Sequence, residues 1–229
     1  MCQRWKKSCC ARKGLVTMSE LLYKELRLAA HPNLYVFMLM GMLLLVPSYP
    51  FGVVFLFGLL GPYISVFYDR ETRDTYFTVL LPIKKSDVVK GKCALFAFAQ
   101  LGQLIISVPF ALLRPLLYDS NAVGMEANAA YYGFGLMIYG IFDLIFLTQF
   151  YKTAYKAGKA FIVAGIPAVL LIAGMEFLAN IPGMAWICAL DAHALITQLP
   201  LLVLGAVIYS VALFLACRRA GSNFSRVNL

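Results

Sequence analysis

Apolar residues run through this chain in stretches too long for a soluble fold, and the polar breaks between them set its plan. Positions 33–68 are 36 residues without one charge, interrupted only by Pro47-Ser48-Tyr49-Pro50. A single helix of that length would rise about 54 Å, far beyond the roughly 30 Å of a bilayer's hydrocarbon. The pattern therefore predicts two spans, about 33–48 and 51–68, joined by a tight turn. Later apolar runs predict spans at about 93–113, 129–150, 160–175 and 199–217. Arg114-Pro115 ends the third span, 114–128 is a loop, and 151–159 (YKTAYKAGK) is a short basic loop. Residues 176–198 are apolar but broken at Pro182-Gly183, which predicts a non-spanning segment before the last span. Ahead of the first span, 19–30 (SELLYKELRLAA) reads as a short amphipathic helix with Ser19 as N-cap. Its polar face carries Glu20, Lys24 and Arg27, and Leu22, Leu26 and Ala29 line the other. Twelve residues cannot cross a bilayer, so this helix is expected to lie in the interface, ended by His31-Pro32.

The expected fold class is thus all-α: a polytopic membrane protein of six transmembrane helices with an N-terminal interfacial helix and a broken external segment before the last span. Residues 1–17 hold five basic residues and no apolar period. They read as a basic extension ahead of a transmembrane domain at 18–217 that begins at Met18, with 218–229 as a polar tail. Composition agrees: 62% of residues are hydrophobic and 14% charged, against about 45–50% and about 25% in soluble domains. The net charge of +9 would suggest nucleic acid in a soluble chain, but here it marks loops. Of the 20 Lys and Arg residues, 19 fall in the N-terminal segment, 69–92, 151–159 and the tail; Arg114 stands alone on the other side. The positive-inside rule then puts both termini and the 69–92 loop in the cytoplasm of a multi-pass plasma-membrane protein. Only Cys188 falls outside, so no intramolecular disulfide is expected there.

Signatures of catalysis are missing. His31 and His193 stand on opposite sides of the membrane, and neither Gly91-Lys92-Cys93 nor Gly158-Lys159-Ala160 completes a phosphate loop. The chain is not expected to be an enzyme or to hydrolyse ATP by itself.

Between the second and third spans, 69–92 (DRETRDTYFTVLLPIKKSDVVKGK) carries four acidic and six basic residues. Such a segment must face water or a soluble partner. An amphipathic helix in this loop can present Tyr76, Phe77, Val79 and Leu80 as anchors, with Arg70, Arg73, Lys84 and Lys85 on the rim. A solvated loop whose lysines reach anionic lipid is the plain alternative. Spacing adds to this. Asp69 and Glu71 precede Pro82 by 13 and 11 residues, and Lys84-Lys85 and Gly91-Lys92 come after it.

This pattern resembles the first cytoplasmic loop of ABC-2 permeases, the membrane subunits of type-2 ABC exporters. It departs from the family at Arg73-Asp74, where Gly-Thr is usual. The interfacial helix, the Ser-Tyr-Pro turn, the basic loop after the fourth span and the broken segment before the last resemble the family's compact branch. That branch includes Gram-positive peptide and toxin exporters such as the phenol-soluble modulin exporter. The resemblance implies an exporter permease whose cytoplasmic coupling helix, Thr72–Leu80 and its flanks, docks on a separate ABC ATPase subunit. Docking residues would be Asp69, Glu71, Arg73, Tyr76, Phe77, Leu80, Pro82, Lys84 and Lys85. ATP and Mg would sit on that partner, with no cofactor or metal on this chain. A second permease copy or a homologous permease would complete the unit within the lipid bilayer, and nucleic acid would play no part. Peptides and other amphipathic or hydrophobic compounds suit such an exporter.

Two of the acidic residues outside the loop are further candidates. Asp143 falls inside the fourth span, where a carboxylate must face a bundle interior or wet cavity. It reads either as a translocation-path or gating residue or as a hydrogen-bond partner of Gln100, Gln103 or Thr148. Glu176 opens the broken segment and is the second path or gating candidate. Two other classes compete: a membrane immunity, assembly or interaction protein independent of any ATPase, and a secondary transporter. The latter would want inverted repeats and several intramembrane charges, and the chain offers no repeat.

Overall fold

The computed structural model describes residues 18–80, 83–118, 124–152 and 156–226, all helix and connecting turns, with no strand among them. Helix α1, Met18–Lys24, passes into a π-helical turn, Glu25–Ala29. Its buried stripe is Leu21, Glu25 and Ala29, one residue off the Leu22/Leu26 face expected from the sequence. The register puts a carboxylate among buried apolar residues. A bend of 92° then leads into α2, Pro32–Leu39, which tightens into a 3-10 turn, Met40–Leu45. His31 starts α2, its Nδ1 accepting a hydrogen bond from the Asn33 N–H at 3.1 Å, with Pro32 in the first helical position.

Together α2 and its 3-10 turn rise about 24 Å, less than the expected 33–48 span. Val46 is extended and Ser48 takes a positive φ of 56°. Five helices are long and apolar enough to cross a membrane, and the bent α1–α2 unit makes a sixth if counted as one span. They are α3 (Gly52–Thr72), α5 (Lys85–Leu117), α6 (Ala129–Lys152), α7 (Ala157–Ala179) and α9 (Ala192–Ser225). Two short helices complete the set: α4 (Asp74–Leu80) and α8 (Ala185–Cys188).

Pro115 does not break the third span. Helix α5 continues through Pro109 and Pro115 to Leu117. Near a helix end a proline forfeits only one backbone bond and distorts little of the short remainder. Helix α9 likewise runs past residue 217 to Ser225, so most of the polar tail continues the last helix. After α7 the chain turns at Asn180–Met184, where Gly183 has φ 96°, makes the single turn of α8, and re-enters as α9.

Packing centres on α6. It lies so close to α9 that a Cβ on Gly133 would stand 2.7 Å from the Leu201 carbonyl oxygen, and one on Gly205 would strike the Gly133 backbone. Small residues allow this in membranes, where dispersion between close backbones replaces the hydrophobic drive. Phe55, Phe96, Tyr139, Phe142 and Phe146 fill the core around it. Outward, Ile162, Ile166 and Leu170 of α7 and Val207 and Phe214 of α9 are exposed, as a lipid-facing surface requires. Cys93 of α5 and Cys217 of α9 lie side by side, with Cα atoms 6.2 Å apart, and among the described residues Cys188 stands by itself as a free thiol.

The junction between α3 and α4 rests on Arg73, which ends α3 in the left-handed conformation at φ 54°, ψ 28°. This conformation costs a side-chain-bearing residue about 1–2 kcal/mol and is the natural place for glycine. It also explains why the short helix starts at Asp74 and not at residue 72: Thr72 still belongs to α3. Arg73→Gly is therefore expected to stabilise the fold by about 1 kcal/mol, seen as a rise of about 2–4 °C in the melting temperature of purified protein.

Candidate functional site

At the end of the bundle that carries the basic loops, four segments meet around a buried group of charges. Lys92, near the start of α5, is 3% exposed at its side chain and pairs with Glu25 of the π-helical turn and Asp69 of α3, each similarly buried. Lys24 extends the group outward. It donates to Glu25 Oε1 at 3.1 Å and Thr78 Oγ1 at 2.8 Å, and it pairs with Asp74. Thr78 in turn donates to the Asp74 carbonyl at 2.8 Å. Two ammonium groups thus serve three carboxylates. Coulomb attraction at this depth is strong, but so is the cost of desolvating each ion, so the cluster fixes a geometry more than it adds net stability. That geometry ties α4 to α1, α3 and α5 together.

The opposite face of α4 is open. Phe77 is 61% exposed and Leu80 67% exposed, three residues apart on one side of the helix. Glu71, Arg73 and Lys84 are exposed around them, while Lys85 is half-buried with its ammonium 5.6 Å above the Phe224 ring. The sequence placed Asp69 with this surface. The structure corrects that: Asp69 is turned inward to Lys92 and has no face left to offer. Val79 also packs toward the core. Pro82 and the side chain of Tyr76 lie outside the described residues.

The two acidic residues far from the loop are both engaged. Asp143 is fully buried, and its Oδ1 accepts from Gln100 Nε2 at 2.7 Å. The Tyr209 hydroxyl donates to Gln100 Oε1 at 3.1 Å, joining α6, α5 and α9. Next to them Tyr139 donates to Gln103 Oε1, and Gln103 Nε2 reaches the Val54 carbonyl at 2.9 Å. Of the partners the sequence offered for Asp143, Gln100 is the one that bonds it. Glu176 lies at the other end of the bundle. Its Oε1 accepts from Gly52 N–H at 2.7 Å and its Oε2 from Met125 N–H at 3.0 Å. A carboxylate there caps the start of α3 and holds the turn before α6. Arg114 supports the same corner, stacked 4.5 Å over Phe51 and 3.8 Å from Glu126.

A family model described as "ABC-2 family transporter protein" matches residues 20–218. The chain belongs to the ABC-2 transporter family. No curated protein and no solved structure matches it. As an ABC-2 permease it is a multi-pass membrane subunit of an ABC transporter, and its family works with an ABC ATPase.

Sequence reasoning missed the inner half of this permease's basic-end site: Glu25, Lys24, Asp74, Thr78 and the pairing role of Lys92. One signal was present. Glu25 stands four residues from both Leu21 and Ala29, which places a carboxylate in line with a buried stripe. Its partner, 67 residues later, could not be read from spacing. Asp69, by contrast, was found but given the wrong direction, because position relative to Pro82 carries no information about which side of α3 a residue faces.

Proposed function

We propose that this permease is driven by docking of a separate ABC ATPase on the outer face of α4, and that the buried charges carry the resulting movement into the bundle. The observation that carries this is the two-sidedness of α4. One side exposes Phe77 and Leu80 among Glu71, Arg73 and Lys84, and the other is tied through Asp74 and Thr78 to Lys24 and, through Glu25, to Lys92. Exposed apolar anchors inside a charged rim suit a partner's groove. A helix fastened at its back transmits displacement rather than absorbing it.

In this reading both termini and α4 face the cytoplasm, consistent with the one-sided distribution of Lys and Arg. ATP and Mg are held by the ATPase subunits, and this chain supplies no nucleotide site. Two permeases, identical or homologous, complete the path, and the exposed apolar face of α7 offers room for such pairing. Asp143, through Gln100 and Tyr209, and Glu176, through α3, act from within the packing as gating residues. Cargo of amphipathic or hydrophobic character, peptides included, suits a path of this composition.

The test is a paired charge substitution on the open face. In Phe77→Asp/Leu80→Asp permease, the ATPase recovered by affinity purification should fall at least about 30-fold, as expected when an anchor worth about 2 kcal/mol or more is lost. Its amount in the membrane and its elution as a single species should not change. Undiminished co-purification with normal transport would remove α4 from the docking surface.

A further inference from the structure

On a different side of the molecule a long groove of about 1040 Å³ lies between α5 and α9, with Leu136 of α6 contributing to its lining. Its volume is at the top of the range of about 300–1,000 Å³ for drug-sized ligands. Its length is more telling. On α5 the lining runs from Ser86 and Lys90 to Leu101. The 11 residues between Lys90 and Leu101 rise about 16 Å, close to half the hydrocarbon thickness of a bilayer. A groove of that length matches the depth of one leaflet.

Polarity follows the same axis. Leu101, Leu136, Leu213 and Phe214 form apolar walls, and deepest on α9 Tyr209 and Ser210 have their hydroxyls bonded to Gln100 and to the Ala206 carbonyl; at the mouth stand Lys90 and Arg218, with Ser222 and Ser225 beside them. Lys90 shares its charge with Asp87 at 2.8 Å. Arg218 is exposed and has no carboxylate partner among the described residues, and no carboxylate lines the groove. A cationic mouth over an apolar slot one leaflet deep is complementary to a single class of molecule: a phospholipid with an anionic head group.

We propose that the α5–α9 groove is a binding site for one anionic phospholipid of the leaflet at the basic end. Lys90 and Arg218 hold the phosphate, and an acyl chain lies against Leu101, Leu213 and Phe214. The lipid fills the cleft between α5 and α9. The site does not depend on which partner docks on α4.

Permease purified in mild detergent and stripped of lipid tests this by native mass spectrometry and thermal melting. The probes are dioleoylphosphatidylglycerol, dioleoylphosphatidylcholine and glycerol 3-phosphate. Phosphatidylglycerol should give a persistent one-to-one adduct per chain and raise the melting temperature; phosphatidylcholine should bind far more weakly, and glycerol 3-phosphate should do neither. Lys90→Gln/Arg218→Gln should weaken phosphatidylglycerol about 25-fold, the product of about fivefold for each removed cation. Ala206→Trp, which fills the deep part of the groove without touching a charge, should also abolish the adduct. The proposal is overturned if the two lipids bind alike, if glycerol 3-phosphate alone reproduces the shift, or if either variant retains phosphatidylglycerol like the parent. It is equally overturned if Ala206→Trp changes the number of chains in the particle, since the groove would then be a protein interface.

Discussion

Lys92→Met is expected to be the most damaging single substitution in the basic-end cluster, costing about 3–5 kcal/mol. Removing the ammonium leaves Glu25 and Asp69 facing each other with almost no access to water. An unpaired buried carboxylate is far more costly than the pair was beneficial: Asp69 would lose its cation altogether, and Glu25 would keep only Lys24. Against a total stability of about 5–15 kcal/mol, the loss should appear as aggregated or degraded protein in fluorescence-detected size-exclusion chromatography. The same reasoning predicts a rescue. Lys92→Met combined with Glu25→Gln and Asp69→Asn removes all three charges and leaves amides that can bond each other. Folding should then return to within about 1–2 kcal/mol of the parent, since replacing a whole buried ion cluster costs far less than breaking it. A triple variant as damaged as Lys92→Met would mean that unpaired charge is not what damages the single variant, and an undamaged Lys92→Met would mean that the charges do not hold these segments together.

The second large effect is steric. Gly205→Ala places a methyl group against the Gly133 backbone. Backbone cannot rotate aside as a long side chain would, so α6 and α9 must part. Overpacking of this kind costs about 1–3 kcal/mol and sometimes more. Gly165→Ala on α7 is the matched control. Nothing lies within 4 Å of its new Cβ, and replacing a half-buried helical glycine with open space beside it gains up to about 1 kcal/mol from propensity. Melting temperatures of the two purified variants should move in opposite directions. Parallel shifts would contradict the α6–α9 contact.

Long uncharged runs separated by charged loops are the clearest pattern a chain can carry, because lipid forbids exceptions. The all-α, multi-span organisation and the family were legible in the sequence for that reason. Boundaries were less so. The sequence makes Pro115 look like a stop, yet its cost depends on how many backbone bonds lie beyond it, and few do. Arg73 gave no warning of its left-handed backbone beyond standing where the family often has glycine. The pairing among Lys24, Glu25, Asp69, Asp74 and Lys92 joins residues far apart in the chain, and only tertiary approach creates it. The exposure of Phe77 and Leu80 was legible for the opposite reason. Apolar residues in a charged loop announce themselves without any partner in view.

The central claim is that an ATPase sits on the open face of α4, and site-specific photo-crosslinking tests it most directly. A benzoylphenylalanine placed at position 77 samples that face; the same probe at the exposed position 116, near the far end of α5, samples the opposite end of the bundle. In membranes where the ABC ATPase co-purifies with the permease, irradiation should give a covalent permease–ATPase product from position 77 and none from position 116. Co-purified ATPase with no product from position 77, or equal product from both positions, would contradict docking on α4.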